Sequence, residues 1–320
     1  VVIGLTVVAT LLVTRDGSGS GEPPTASAPP TTSADTSDVA SADDRGPVGI
    51  ITEDPTCDAW TSISQRLFDE QQKGWVDLDP SIPRDAWTPQ QREVFEKAAQ
   101  DMAAAAEQTT ALVGRTPHRV MREIYEQAIA YWRAYAAALP DYKPVDDYLA
   151  AAGNGLSATL NAICGAIAYE SAPARNQLLP PSIPPSEVAP MGNLSDPTRF
   201  LAKRSPACNQ WDQLVTSYGE ATEEWRQVFD PNLPASQWTR VQQTSMANMV
   251  TVMRENASSM EQIALLSTDL IWRDFAALAA NYRRAYVQAI PTYMPSDNFL
   301  DSASTALMVA IDSACEALGS

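Results

Sequence analysis

Residues 131–146 have the sequence YWRAYAAALPDYKPVD, and residues 282–297 have the sequence YRRAYVQAIPTYMPSD. Both stretches contain Tyr-x-Arg-Ala-Tyr and then continue to two prolines and an aspartate. Their first eight residues include no glycine or proline, and Pro140 or Pro291 then disfavours helix in the residue before it. The pattern therefore predicts, at two places in the chain, the end of one helix, a short connection and the start of the next helix.

Both stretches belong to a longer internal repeat with an offset of 151 residues. Residues 57–164 and 208–315 align without a gap, and 25 of the 108 positions are identical. Cysteines, tryptophans and prolines, which fix a framework, are prominent among the identities. We infer that one module was duplicated in tandem. The predicted domains are 57–170 and 207–320, called copy 1 and copy 2 below.

Each copy shows four segments in which apolar residues recur at helical spacing, and no segment alternates like a strand. Thr88 with Gln91, and Thr239 with Gln242, predict a capping box at the start of the second helix. The connections between the later helices are short, which favours antiparallel neighbours. The predicted fold is all-α, with two tandem antiparallel four-helix bundles.

The four cysteines test this topology. Four cysteines allow three pairings, but each copy has one cysteine at the start of its first helix and one at the end of its fourth. In an antiparallel bundle with an even number of helices, the start of the first helix and the end of the last helix lie at the same end of the bundle. We therefore predict the bridges Cys57–Cys164 and Cys208–Cys315, with four buried free thiols as the alternative. An anchor followed by a stalk indicates an oxidising compartment, which favours the bridges.

The N-terminal region differs in composition from the copies. Residues 1–13 (VVIGLTVVATLLV) carry no charge and are expected to form part of a transmembrane anchor, with a signal segment as the alternative. Residues 14–56 are rich in Pro, Ser and Thr and are expected to be a disordered stalk. Residues 171–206 are Pro-rich and are expected to form an extended linker between the copies.

Charge and motifs limit the possible functions. The formal net charge is −17 with no cluster of Lys or Arg, so nucleic acid is not expected as a partner. Phosphate-binding loops and metal-ligand spacings are absent from the sequence, so we expect no cofactor, no metal and no catalytic residue. His118 is the only histidine and lies at a predicted helix start, where it, or Asp269 in copy 2, is expected to serve the helix terminus.

The repeated Tyr-x-Arg-Ala-Tyr motif supplies the candidate ligand or partner surface. Its residues are Tyr131, Arg133, Tyr135, Tyr282, Arg283, Arg284 and Tyr286. The alternative, which we favour, is a Tyr-rich core layer. In this alternative, the core layer would lie beside structural ion pairs between Arg133 and Asp146 and between Arg284 and Asp297.

These observations predict a protein that is not an enzyme and whose role is binding or assembly. It would be held at the cell membrane by a single pass, with its folded part on the extracytoplasmic side, or be secreted. The expected partners are the membrane and another cell-envelope protein or a small ligand. The alternatives are an extracytoplasmic ligand-sensing domain and, less favoured, an enzyme of unknown reaction.

Overall fold

The computed structural model describes residues 39–319, which are helical and contain no strand. Copy 1 folds into α1 (Cys57–Gln71), α2 (Pro89–Val113), α3 (Arg119–Ala138) and α4 (Asp147–Ala168). The linker begins with the short helix α5 (Ser171–Asn176). Copy 2 folds into α6 (Ala207–Ala221), α7 (Glu223–Val228), α8 (Arg240–Ala264), α9 (Leu270–Ala289) and α10 (Asn298–Glu316). The all-helical class predicted from the sequence is confirmed.

The helix boundaries follow local sequence signals. Thr88 accepts a hydrogen bond from the backbone of Gln91, whose side chain accepts from Thr88 in return, and Thr239 with Gln242 repeats this arrangement. The two predicted capping boxes are therefore confirmed. After α3 and α9 the chain passes through two 3₁₀ turns, the second of which starts at Pro144 or Pro295.

Both predicted disulfides are present. Cys57 is bonded to Cys164, and Cys208 is bonded to Cys315, with Cα–Cα distances of 5.4 Å and 5.6 Å. Each bridge joins the start of the first helix of a copy to the end of its last long helix. Within each copy the first long helix also packs against the second and the fourth, and the third packs between those two.

The two copies are joined along α4 and α10, which run antiparallel. Gly155 lies against Ala310, and Gly165 lies against the ring of Phe299. A Cβ atom placed on Gly155 would stand 2.9 Å from the Cβ of Ala310, so the small residue permits the close approach. One apolar core runs through both copies, and they belong to a single compact unit. The arrangement thus differs from two bundles that stand apart on a linker.

The segments that precede each copy also tie the copies together. The carbonyl of Val48, before copy 1, accepts from Asn281 of copy 2 at 2.7 Å. In reverse, the amide of Phe200, before copy 2, donates to Gln127 of copy 1 at 2.8 Å. Each leading segment therefore covers the third helix of the other copy.

The stalk prediction is wrong for residues 39–56. Val48, Ile50 and Ile51 are buried against the helices because this short apolar run can cover α9. The linker prediction is modified too, since residues 171–176 are helical. The predicted anchor (1–13) and the remainder of the stalk (14–38) lie outside the described residues. None of the helices between residues 39 and 319 combines the length and apolar character that a membrane crossing requires.

Candidate functional site

The tyrosines of the repeated motif lie inside the protein. Tyr131, Tyr135, Tyr282 and Tyr286 are at most 1% exposed. The reason is their i,i+4 spacing, which places both tyrosines of a copy on the face of α3 or α9 that points into the core. As members of an exposed ligand surface these four residues are therefore corrected to core residues, in agreement with the alternative of a Tyr-rich core layer.

The two motif arginines at the third position are partly exposed, but their expected partners were wrong. Arg133 donates to the carbonyl of Ser195 at 2.7 Å, and Arg284 forms an ion pair with Glu261 on α8 at 2.5 Å. Asp297 is instead paired with Arg175 of α5 at 2.8 Å. On α3 and α9 the arginines point away from the tyrosines. They therefore contact the second long helix of their copy, or the linker, and not the start of the fourth long helix, where Asp146 and Asp297 lie.

The remaining motif residue, Arg283, differs from its counterpart Trp132 in both chemistry and surroundings. In copy 1 the Trp132 ring packs on Gly153, where an added Cβ atom would stand 2.5 Å from the ring. Its indole N–H donates to Asn154 at 3.0 Å, and Asn154 also bonds with Gln71. We call Trp132 and the residues that it contacts here, Gly153 and Asn154, the tryptophan layer of copy 1.

Copy 2 has polar residues at the equivalent places. Arg283 replaces Trp132, and its side chain is fully buried. The guanidinium forms a close ion pair with Asp301, donates to Thr305 at 2.9 Å, and lies 4.6 Å from the centre of the Tyr218 ring. The copy 1 residues at the three partner positions are Ala150, Asn154 and Leu67, and Gly153 has become Ser304. We call the set Tyr218, Arg283, Asp301, Ser304 and Thr305 the polar layer.

The polar layer was only partly visible in the sequence. Arg283 belongs to the repeated motif and is aligned with Trp132 by the repeat, whereas Tyr218, Asp301, Ser304 and Thr305 lie outside the motif. Their signal lies in the alignment of the copies, because an apolar or small residue becomes polar at Leu67/Tyr218, Ala150/Asp301 and Gly153/Ser304. Recognising that these positions meet requires the packing of three different helices.

A second group of buried charges lies where α3 of copy 1 meets α9 of copy 2. Arg119 donates to Asp274 at 2.7 Å, and both side chains are almost fully buried. Glu123, the copy 1 counterpart of Asp274, has no hydrogen-bond partner among the described residues. Burial raises the pKa of Glu123 well above its usual value, Asp274 adds to the rise, and Arg122 and Arg119 oppose it. This group holds the copies together rather than facing solvent.

His118 does not cap its helix with its side chain. Its Nε2 atom lies 2.8 Å from the carbonyl oxygen of Glu53, in the segment before copy 1. Asp269, the counterpart in copy 2, does accept from the backbone of Trp272 at 2.9 Å and caps α9. Among the described residues, no group of three or more His, Cys, Asp or Glu side chains is arranged to hold a metal ion.

The surface carries the same groove twice, once in each copy. Both grooves lie beside the first turns of α2 or α8, next to the connection that follows the first helix of the copy. Five pairs of lining residues are equivalent in the repeat: Lys73/Glu224, Pro89/Arg240, Glu93/Thr244, Val94/Ser245 and Lys97/Asn248. We call them groove 1 and groove 2.

The two grooves differ in chemistry. Groove 1 is lined by six charged side chains, Glu70, Lys73, Arg92, Glu93, Glu96 and Lys97. Groove 2 has only Glu224 and Arg240 as charged lining residues, together with the exposed side chains of Val228 and Val241. Val241 is 66% exposed, which is unusual for a β-branched apolar residue on a helix. Equivalent surface positions in the two copies thus carry side chains of different chemistry.

Comparison with known proteins agrees with this extent of the folded region. The model of the family described as "Mycobacterial ESX-1 associated protein" matches residues 39–319, which are the described residues. The chain belongs to this family. It is also 41% identical over 324 residues to an uncharacterised protein of Mycolicibacterium smegmatis (strain MKD8), an alignment that covers 99% of this chain and 83% of that protein. No solved structure matches the chain.

Proposed function

We propose that this protein is a non-catalytic binding or assembly component of mycobacterial ESX-1 secretion that works outside the cytoplasm. The observation that carries the proposal is the duplicated groove with two different linings. Two equivalent surfaces on one compact unit, one charged and one largely uncharged, suit a protein that brings two different partners together. Membership in the ESX-1 associated family supplies the context of the partners.

The proposed compartment is supported by the disulfides. Both copies are closed by a bridge, and the described residues contain no free cysteine. Structural disulfides persist in oxidising surroundings and are rare in the cytosol. We therefore propose that residues 39–319 lie on the extracytoplasmic side. The proposed attachment to the cell membrane rests on the uncharged apolar sequence of residues 1–13.

Site-specific cross-linking tests the binding role. A photoreactive residue replaces Thr244 in groove 2 or Glu93 in groove 1 of the full chain, expressed in mycobacterial cells with and without ESX-1. Both positions are exposed and equivalent in the repeat. We expect a different cross-linked envelope protein from each groove, and loss of at least one when ESX-1 is absent.

Glu187 is a suitable control position for this experiment, because it is exposed in the linker and lies outside both grooves. The same products from positions 187, 244 and 93 would show that the grooves carry no specific partner. In that case the assembly role is wrong.

Fractionation tests the proposed location. The full chain should be recovered with membranes and, after digestion without reductant, should yield the two linked peptide pairs. A matched chain that starts at residue 39 should keep both bridges when exported but leave the membrane fraction. Recovery of the full chain in the cytosol with four free thiols would contradict the proposal.

A further inference from the structure

The polar layer of copy 2 and Tyr286, which lies one helical turn after Arg283 on α9, contain hydrogen-bonding groups without a partner among the described residues. Four atoms have no hydrogen-bond partner among the described residues: Nε of Arg283, the hydroxyls of Tyr218 and Tyr286, and Oγ of Ser304. All four side chains are less than a tenth exposed. Buried polar groups are nearly always bonded, and an unbonded group costs about 1–3 kcal/mol. Four such groups in one region indicate a missing partner.

The charges around these groups favour a negatively charged partner. Burial raises the pKa of Tyr218 and Asp301 adds to the rise, whereas Arg283 and Arg226 oppose it. At Tyr286 burial and Asp301 raise the pKa, and Arg283 opposes the rise. The carboxylate in the region, Asp301, is already bonded to Arg283. The unbonded N–H of Arg283 can only donate, and the two phenol hydroxyls are free to donate as well. The region therefore offers several donors, together with two guanidinium groups against one carboxylate that is already paired.

The region is also connected to the surface. Asp301 is 17% exposed at its side chain, and Arg226 is exposed, whereas Arg283 behind them is fully buried. Thr305 is partly exposed beside Asp301. Asp301, Thr305 and Arg226 are thus the parts of this region that solvent reaches.

We propose that copy 2 contains a binding site for a small oxyanion, a carboxylate or a phosphate, at Arg283, Tyr218 and Tyr286. The oxyanion accepts hydrogen bonds from Nε of Arg283 and from the two phenol hydroxyls, and Arg226 contributes attraction at the entrance. Charge-assisted hydrogen bonds of this kind are among the stronger ones in proteins. This goes beyond the proposed function, because it assigns a small ligand in the interior of copy 2 rather than a partner in the grooves.

Copy 1 provides an internal comparison, since its tryptophan layer occupies the same place. Trp132 packs so closely on Gly153 that no added Cβ atom fits, and the Tyr135 hydroxyl accepts from the indole of Trp75 at 3.3 Å. Tyr286 is the counterpart of Tyr135 and has no such donor, because Arg226 stands where copy 1 has Trp75. The proposed site therefore belongs to copy 2 alone.

Titration calorimetry of the full chain tests the proposal. The probes are inorganic phosphate and acetate, each compared with chloride at the same ionic strength, so that the two anions distinguish a phosphate from a carboxylate site. We expect saturable binding of one of them and about tenfold weaker binding by Tyr286→Phe, which deletes one hydrogen bond to a charged group. Tyr135→Phe is the matched control and should leave the affinity unchanged.

A second variant tests the proposal even if single substitutions disturb the core. In this variant, called the converted chain, copy 2 receives the residues of copy 1. Tyr218→Leu, Arg283→Trp, Asp301→Ala, Ser304→Gly and Thr305→Asn together give copy 2 the residues of the tryptophan layer, which packs well in copy 1. This chain should remain helical and lose the binding. If neither probe binds to the natural chain, or if the converted chain binds equally well, then the unbonded groups are served by buried water and the proposal is wrong.

Discussion

The two copies share a framework and differ in one interior layer. Cys57 and Cys208 form equivalent disulfides, Trp60 and Trp211 are both fully buried at equivalent positions, and the prolines of the connections are shared. By contrast, Trp132 on α3 has become Arg283 on α9, and its neighbours have changed with it. A buried arginine is tolerated only with a partner, so Asp301 and Thr305 had to accompany it. The comparison shows that a duplicated core changes by groups of contacting residues, not one position at a time.

The disulfides should show the largest effect and should treat the copies alike. Each closes a loop with a sequence separation of 107 residues, for which the chain-entropy model gives up to about 4.7 kcal/mol. We expect the paired changes Cys57→Ser with Cys164→Ser, and Cys208→Ser with Cys315→Ser, to lower the free energy of unfolding by similar amounts. Urea denaturation of the full chain measures this. A cost in one copy below half of that in the other would break the equivalence.

The contact between the copies should be the next most sensitive. Asp274→Ala removes the nearest ion-pair partner of the buried Arg119 guanidinium and leaves it only the more distant Asp44 and Glu123, at 3.8 Å and 4.0 Å. Breaking a buried pair costs about 3–5 kcal/mol, and we expect the lower end of this range. Glu123→Gln at the equivalent position of copy 1 is the control, and we expect it to be neutral or stabilising at pH 7, because this carboxyl has no hydrogen-bond partner among the described residues. Equal losses for both variants in urea denaturation would contradict this asymmetry.

The packing of the two interior layers can be compared by substituting alanine at the equivalent positions 153 and 304. Gly153→Ala places a Cβ atom against the Trp132 ring, and such overpacking costs about 1–3 kcal/mol. Ser304→Ala in copy 2 removes an unbonded hydroxyl and should change the free energy of unfolding by less than about 0.5 kcal/mol in the absence of added anions. Thermal unfolding of both variants sharpens the comparison. A tolerated Gly153→Ala would mean that the tryptophan layer is not closely packed.

A buried carboxyl on α10 should make the stability of the protein depend on pH. Burial raises the pKa of Asp312 to about 7, Asp212 and Glu316 add to the rise, and Arg204 opposes it. Because the carboxyl is a weaker acid in the folded state than in the unfolded chain, stability is lost as the pH rises from about 4 through about 7. Copy 1 has Asn161 at this position.

The matching substitution is therefore Asp312→Asn. It should remove at least about 1.4 kcal/mol of the loss in stability between pH 4 and pH 8, which corresponds to one pKa unit. Urea denaturation across this pH range measures the difference between the variant and the natural chain. Parallel pH profiles for the two proteins would show that Asp312 is not the titrating group.

The smallest effects are expected at the outward arginines. Arg284→Met breaks the partly exposed ion pair with Glu261 and should cost at most about 1 kcal/mol. Arg133→Met should cost less, because its carboxylate partners Glu107 and Asp196 lie 3.5 Å and 3.9 Å away and are more than 80% exposed. Thermal unfolding distinguishes the two variants. A larger loss at Arg133 would mean that its hydrogen bond to the carbonyl of Ser195 anchors the linker.

Several features were predictable because their signals lie close together in the chain. The capping boxes at Thr88 and Thr239 involve residues three positions apart, and the prolines end helices through contact with their own neighbours. Predicting the disulfide pairing needed one further step: in an antiparallel bundle with an even number of helices, the first and last helix ends lie at the same end of the bundle. Helix packing then brought the two ends together as the repeat predicted.

The remaining features depend on contacts between distant segments, which periodicity does not specify. The apolar spacing around Gly155 shows that one face of α4 is buried but does not say that Ala310 of the other copy covers it. For the same reason residues 48–51 resemble a stalk in composition, although α9 supplies the surface that buries them.

The sequence by itself thus determined the repeat, the helices and the bridges, since these follow from local backbone preferences and from cysteine positions. Only the tertiary structure decided which residues face one another across the copies. It buried the tyrosines of the motif, gave Arg133 and Arg284 their partners, and gathered Tyr218, Arg283 and Asp301 into one polar layer. Such contacts join residues on different helices. Their free energy depends on how the helices pack, which no short stretch of sequence specifies.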